Sequence, residues 1–150
     1  MYRKVLVPLD GSELAECALS EVRTLAKDRC LGEVILLNAV GVDIPWDEMD
    51  KGIDFHAMRQ KVLQASERYL VEVQSRLLSE GLQARVESLE INRPDQAIID
   101  YVKKNGVDLI VMATHGYTGM KKMLLGSVAL RVLHESPVPV LLVRPESCRV

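Results

Sequence analysis

The sequence predicts an α/β fold, a five-stranded parallel sheet with helices on both faces. Three observations lead there. Short apolar runs alternate with longer amphipathic stretches in the order β-α-β-α-β-α-β-α-β. Most of the runs are nearly continuous in Val, Ile and Leu rather than alternating, which marks strands covered on both sides. The stretches between them repeat apolar residues at three- and four-residue spacing, one face of a helix.

The first strand is Val5-Leu6-Val7-Pro8-Leu9. From Ser12 to about Arg29, the spacing of Ala15, Ala18, Leu19, Val22, Leu25 and Ala26 predicts one helix. The second strand is 34–40. Residues 41–52 are acidic, contain Pro45 and Gly52, and show no period, which predicts a long loop carrying the single Trp46. A long helix follows over 54–80, with Met58, Val62, Ala65, Tyr69, Val73 and Leu77 on one face and Gly81 as its stop signal. Residues 84–91 alternate partly and read as a less buried strand. Pro94 opens the next helix at a favoured first-turn position. Ala97, Ile98, Tyr101 and Val102 face inward, and Gly106 ends it. The fourth strand is 107–113, a glycine-containing loop leads to a helix at 127–135, and the fifth strand is 138–143. Pro139 cannot donate to a ladder, so that strand belongs at an edge, where it is also a template for pairing with another chain.

Composition narrows the function. A chain of 150 residues, 48% apolar and 27% charged, fits one globular domain spanning 1–150 and excludes a disordered chain. Aromatics are 4%, which argues against a base-stacking platform for single strands. A net charge of −2 offers no basic surface for a phosphate backbone, so no nucleic-acid partner is expected. Cys17, Cys30 and Cys148 have neither CxxC nor zinc-ligand spacing, so scattered thiols fit a reducing compartment. The apolar run after Arg3 and Lys4 is too short for a signal-peptide core, and no run approaches the roughly 18 residues of a membrane span. A cytoplasmic protein is expected.

In open parallel sheets, ligands bind beyond the carboxyl ends of the strands where the strand order reverses. Three strand ends therefore matter: Pro8-Leu9-Asp10-Gly11-Ser12, Asn38-Ala39-Val40, and Met112-Ala113-Thr114-His115-Gly116 continuing to Gly126-Ser127. Gly116, Gly119 and Gly126 crowd the last segment, with Lys121 and Lys122 between them. Gly126-Ser127 stands just before an amphipathic helix, whose first amides form an anion site; simple capping is the alternative use of the same pair. Neither the P-loop pattern nor G-x-G-x-x-G occurs. Asp10 serves either as a ligand contact or as a helix N-cap with Glu13 as box partner. His115 has no triad pattern around it and reads as a loop residue beside phosphate rather than a general base. His56 and His134, on helices without ligand spacing, read as structural. Cys17 and Cys30 read as inert.

Ala113-Thr114-His115-Gly116, nine residues, then Gly126-Ser127 resembles the G-x-x-G-x9-G-[ST] ATP-binding signature of the universal stress protein family. The opening Lys4-Val5-Leu6-Val7-Pro8-Leu9-Asp10-Gly11-Ser12 and the closing Pro137-Val138-Pro139-Val140-Leu141-Leu142-Val143 are also similar to that family, so the resemblance covers the whole chain. It implies a Rossmann-like, adenine nucleotide alpha hydrolase-like domain with strand order 3-2-1-4-5. It further implies a homodimer joined through the fifth strand, and ATP as ligand with Mg²⁺ or Mn²⁺ on its phosphates. Pro8, Leu9 and Asp10 would contact the nucleoside, with Asp10 near the ribose, and Ala39 would meet the adenine through its backbone. Ala113, His115 and Gly116 would line the phosphate path, and Met112 is a further cofactor-binding residue. Gly126, Ser127 and Val128 would hold phosphates with their amides. The first signature glycine is Ala113 here. If that position needs positive φ, alanine costs about 1 kcal/mol; if it only needs clearance, a methyl is tolerable.

The expected function is an ATP-binding switch or sensor in stress physiology, with at most slow ATP hydrolysis. The alternative is a nucleotide-free dimeric interaction module of the same family. The S-G-G-x-D-S motif of ATP pyrophosphatases and the H-x-G-H motif of nucleotidyltransferases are both missing from the sequence.

Overall fold

The computed structural model describes residues 1–41, 52, 54–116 and 125–145. The elements run β1 (Tyr2–Pro8), α1 (Glu13–Glu16), α2 (Leu19–Lys27), β2 (Leu31–Val40), α3 (Phe55–Ser79), β3 (Ala84–Glu90), α4 (Pro94–Asn105), β4 (Leu109–Ala113), α5 (Ser127–Glu135) and β5 (Val140–Val143). All strand pairs are parallel, and the sheet order is β3-β2-β1-β4-β5. The order reverses between β1 and β4, so their carboxyl ends diverge there.

Side chains alternate across the sheet into two cores, as strand geometry requires. Val5, Val7, Val34, Leu36, Leu109 and Val111 face α1, α2 and α3, where Ala15, Leu19, Val22, Leu70, Val73 and Leu77 meet them. Leu6, Ile35, Leu37, Ile110 and Met112 face α4 and α5, against Ile98, Ile99, Val102, Ala129 and Val132. This two-sided burial is why the central strands are unbroken apolar runs.

The helix expected from 12 to 29 is two. The amides of Cys17, Ala18, Ser20 and Glu21 bond to carbonyls three residues back, at 3.2–3.3 Å. The Ser20 hydroxyl also donates to the Cys17 carbonyl at 2.8 Å. This tightens one turn between α1 and α2 without turning the apolar face away from the sheet.

The long helix α3 keeps its expected span, with Asp54 as N-cap accepting from the Ala57 amide at 3.1 Å. Its phase differs slightly, because Ala65 is exposed and Ser66 is buried in its place. Ser66 Oγ accepts from Asn38 Nδ2 at 3.0 Å and lies 2.7 Å from Ser88 Oγ, so its polar atom is fully used. Periodicity alone favours the apolar neighbour, and partners on β2 and β3 make the serine the better fit.

Pro94 occupies the first turn of α4, and Gly106 closes the helix at φ 65°, a left-handed cap. Asp108 turns its carboxylate onto the Arg3 and Lys4 amides at 2.9 and 3.0 Å, and β4 starts after it. Pro139 precedes β5, where its carbonyl accepts from the Ile110 amide at 3.0 Å. β5 is indeed an edge strand. Most of the 41–52 loop with Trp46, the glycine loop around Gly119, Lys121 and Lys122, and Cys148 lie outside the described residues.

Candidate functional site

Where β1 and β4 part, the carboxyl end of the sheet opens into a cavity of about 280 Å³. That is near the low end of small-molecule sites, which run from about 300 to 1,000 Å³. Pro8, Leu9, Asp10, Ala39, Met112, Ala113, His115, Gly116, Gly126, Ser127 and Val128 all line it, so every residue expected at the site is brought to one place. Asn38 and Thr114, inside the strand-end segments, line it as well, and so do residues that sequence reasoning missed: Ala15, Leu37, Pro94, Ile98 and Ala129. Pro94 and Ile98 carried a signal, since the first turn of a helix after a strand faces the same end of the sheet.

The cavity has two characters. Leu37, Ala39, Pro94, Ile98 and Met112 make an apolar part. Asp10, Thr114, His115, Gly116, Gly126 and Ser127 make a polar one.

The Asp10 turn is built by local hydrogen bonds. Asp10 Oδ1 accepts from the Ser12 amide at 2.9 Å and from the Ser12 hydroxyl at 2.5 Å. Ser12, not Asp10, caps α1 and accepts from the Ala15 amide at 3.1 Å. The expected Asp10–Glu13 capping box is therefore replaced by a relay. The aspartate fixes the serine, the serine caps the helix, and the Asp10 carboxylate stays on the cavity wall. Gly116 lies directly against it, and a Cβ there would come within 2.5 Å of Asp10 Oδ2.

The β4–α5 connection is stitched at its base. The Gly126 amide donates to the Thr114 carbonyl at 2.7 Å. A Cβ on Gly126 would sit 3.0 Å from that oxygen, so this glycine provides close approach between two backbones. Its φ is an ordinary −66°. In this structure the Gly126 amide is spent on that bond. The amides of Ser127 and Val128 remain, having no acceptor inside the helix. α5 has no side-chain cap, so nothing from Gly126 covers them. Ala113 lies in β4 with extended backbone, paired with Val143. Among the described residues the only positive φ outside glycine is at Arg29. Alanine at 113 thus carries no backbone strain, and clearance is the relevant requirement.

His115 is buried, 3% exposed, and its Nδ1 lies 2.9 Å from Thr114 Oγ1. His56 and His134 sit on exposed helix positions and do not line the cavity. Cys17 and Cys30 are half-buried.

Among the described residues, no group of three His, Cys, Asp or Glu could hold a metal ion. Among the described residues the cavity wall supplies one carboxylate, Asp10. No helix among the described residues is long and apolar enough to cross a membrane.

Comparison with known proteins places this geometry. The model of the universal stress protein family matches residues 1–144. The universal stress protein YxiE of Bacillus subtilis is 31% identical, over 96% of this chain and all of its own length. The solved structure of MJ0577, a universal stress protein of Methanocaldococcus jannaschii, superposes with a TM-score of 0.79 at 32% identity, covering 97% of this chain and 98% of that one. Two more distant structures share the fold. One is from Arabidopsis thaliana with AMP bound, 16% identical, TM-score 0.68, covering 97% of this chain and 93% of that one. The other is a universal stress protein in complex with cAMP, 21% identical, TM-score 0.66, covering 95% of this chain and 97% of that one. With the sheet order, the strand-end segments and a full-length family match in agreement, the chain belongs to the universal stress protein family.

Proposed function

We propose that the cavity binds an adenine nucleotide and that the protein is a nucleotide-dependent switch or sensor in stress physiology. The observation that carries this is the convergence of the three strand-end segments on one cavity with an apolar and a polar part. The base fits the apolar part beside Ala39, Ile98 and Met112, and the ribose fits beside Asp10. The phosphates run past Gly116 to the Ser127 and Val128 amides, where the positive end of the α5 dipole favours an anion. The AMP and cAMP held by two proteins of the same fold support the ligand class. The nucleotide is ATP, with Mg²⁺ or Mn²⁺ carried on its phosphates. The chain works as one domain in the cytoplasm, as a homodimer joined through β5.

Catalysis is at most slow. The buried His115 imidazole sits against a threonine hydroxyl, and a turnover above about 1 s⁻¹, the low end for typical enzymes, would overturn this part.

Calorimetric titration of the folded protein with ATP–Mg²⁺ is the primary test, alongside mass spectrometry of small molecules released on denaturing freshly purified protein. Saturable heat and a released adenine nucleotide are expected. Gly126→Asp presses a charged side chain onto the Thr114 carbonyl, displaces the Ser127 and Val128 amides and should abolish binding. A folded protein with no heat and no released nucleotide favours the other reading, a nucleotide-free dimeric interaction module.

A further inference from the structure

Among the described residues, Asp95 is the one buried carboxylate. It stands in the first turn of α4 and accepts from Arg93 Nη2 at 2.9 Å, while Arg131 Nη1 on α5 lies 3.6 Å away. Its side chain is 8% exposed and those of Arg93 and Arg131 are 57% and 59% exposed, so a buried anion is held between two rim cations. Burial alone would raise its pKa. The hydrogen bond from Arg93 and the charges of Arg93 and Arg131 outweigh that and hold the carboxyl below its ordinary value.

Position gives the pair its interest. Asp95 follows Pro94 and precedes Ile98 by one turn, and both of those line the apolar part of the cavity. Arg131 follows Ser127 and Val128 by one turn, and both of those line the cavity, Ser127 in its polar part. The ion pair therefore ties together the two helix starts that form the two parts of the wall. With the Arg131 side chain 59% exposed, the pair adds little net stability. Its interest is that it links the two helix starts.

We propose that Asp95 and Arg131 are positioning residues that set the distance between the base wall and the phosphate wall of the cavity. The inference rests on the adenine-nucleotide reading above. A ligand that fills both parts gains from a preset spacing, because its second contact forms within the complex already made. A ligand that touches only one part gains nothing. The pair thus selects for base and phosphates joined in one molecule.

The test is titration of ATP and of adenosine into the full-length protein, its Arg131→Met and Asp95→Asn variants, and Arg131→Lys as the conservative variant. Both Arg131→Met and Asp95→Asn should weaken ATP by about tenfold, within the range of couplings between contacting groups. Adenosine should change less than about twofold, and Arg131→Lys should recover part of the ATP loss. The two main variants change the local charge in opposite directions. If the pair acted by electrostatics alone, Arg131→Met would weaken ATP and Asp95→Asn would strengthen it; that result overturns the proposal. Equal losses for ATP and adenosine also overturn it, since they signal general damage. Because Arg131 is exposed, Arg131→Met keeps the test alive if Asp95→Asn does not fold. A wild-type protein that binds neither ligand refutes the nucleotide reading itself, whereas failure of the variant pattern with ATP bound to wild type refutes only the positioning role.

Discussion

Gly126 shows how a single missing carbon can be required without any unusual torsion. Its φ is ordinary, yet a Cβ would press on the Thr114 carbonyl at 3.0 Å. Gly126→Ala should lower stability by about 1–3 kcal/mol, the usual cost of overpacking, and displace the Ser127 and Val128 amides. Urea unfolding and ATP titration read the two effects, and an unchanged midpoint would contradict the close-approach account. Asp108 makes a different prediction. Burial raises its carboxyl pKa, but the Lys4 and Arg3 amides more than compensate and hold it below the ordinary carboxylate value. A depressed folded-state pKa contributes stability above the unfolded value, about 3.9, and loses it as pH falls through the folded value. Asp108→Asn should therefore cost about 1–3 kcal/mol at pH 7 by setting an amide group against a backbone N–H. The gap between variant and wild type should shrink below about pH 4, as urea titrations across pH 3–7 would show.

At the scale of elements, α3 is held by polar contacts as well as by its apolar stripe. Ser66 joins Asn38 of β2 and Ser88 of β3, and Asn38 lies on the cavity wall. Tyr69 donates to Glu16 of α1 at 3.0 Å, and Arg76 reaches the same carboxylate. Arg59 forms a paired hydrogen bond with Glu90 at 2.7 and 2.8 Å, tying the first turns of α3 to the end of β3. Ser66→Ala leaves Asn38 without its acceptor and should cost about 1–3 kcal/mol in thermal or urea unfolding. Gly106→Ala forces a side chain into the left-handed cap of α4 and should cost about 1 kcal/mol. Gly106 lies away from the cavity, whereas Ser66→Ala frees a lining side chain, Asn38.

For the whole molecule, the two sheet edges differ in kind. β3 carries Arg85 and Glu87, with Arg85 3.2 Å from Glu33 of the neighbouring strand, a charged edge that discourages pairing with another sheet. β5 is Val-Leu-Leu-Val and half-exposed over most of its length. The amides of Ile110 and Thr114 bond to the carbonyls of Pro139 and Val143. In a parallel ladder this leaves the backbone groups of Val140 and Leu142 pointing to the free edge. Sedimentation should find a dimer, and Leu142→Pro, which removes an outward donor, should shift it to monomer. A dimer unaffected by that change would place the contact elsewhere.

The sheet was legible from continuous Val, Ile and Leu runs separated by amphipathic stretches, because two-sided burial leaves that pattern in any parallel strand. The edge position of β5 was expected from Pro139 and is correct, but Pro139 precedes the strand with its carbonyl toward β4, so the sheet topology and not the missing amide sets the edge. Much of the cavity wall was legible as well: helix starts and strand ends of this topology meet at one end, so strand-end glycines and Asp10 point to it. Tertiary structure decided what depends on partners distant in sequence. It chose Ser66 over Ala65 for burial and gave the Gly126 amide to Thr114. It made Ser12 the cap in place of Asp10, and joined Asp95 to Arg131 across two helices. Periodicity records which face of an element is covered, while hydrogen bonds and ion pairs depend on distances of a few tenths of an ångström that only the assembled chain sets.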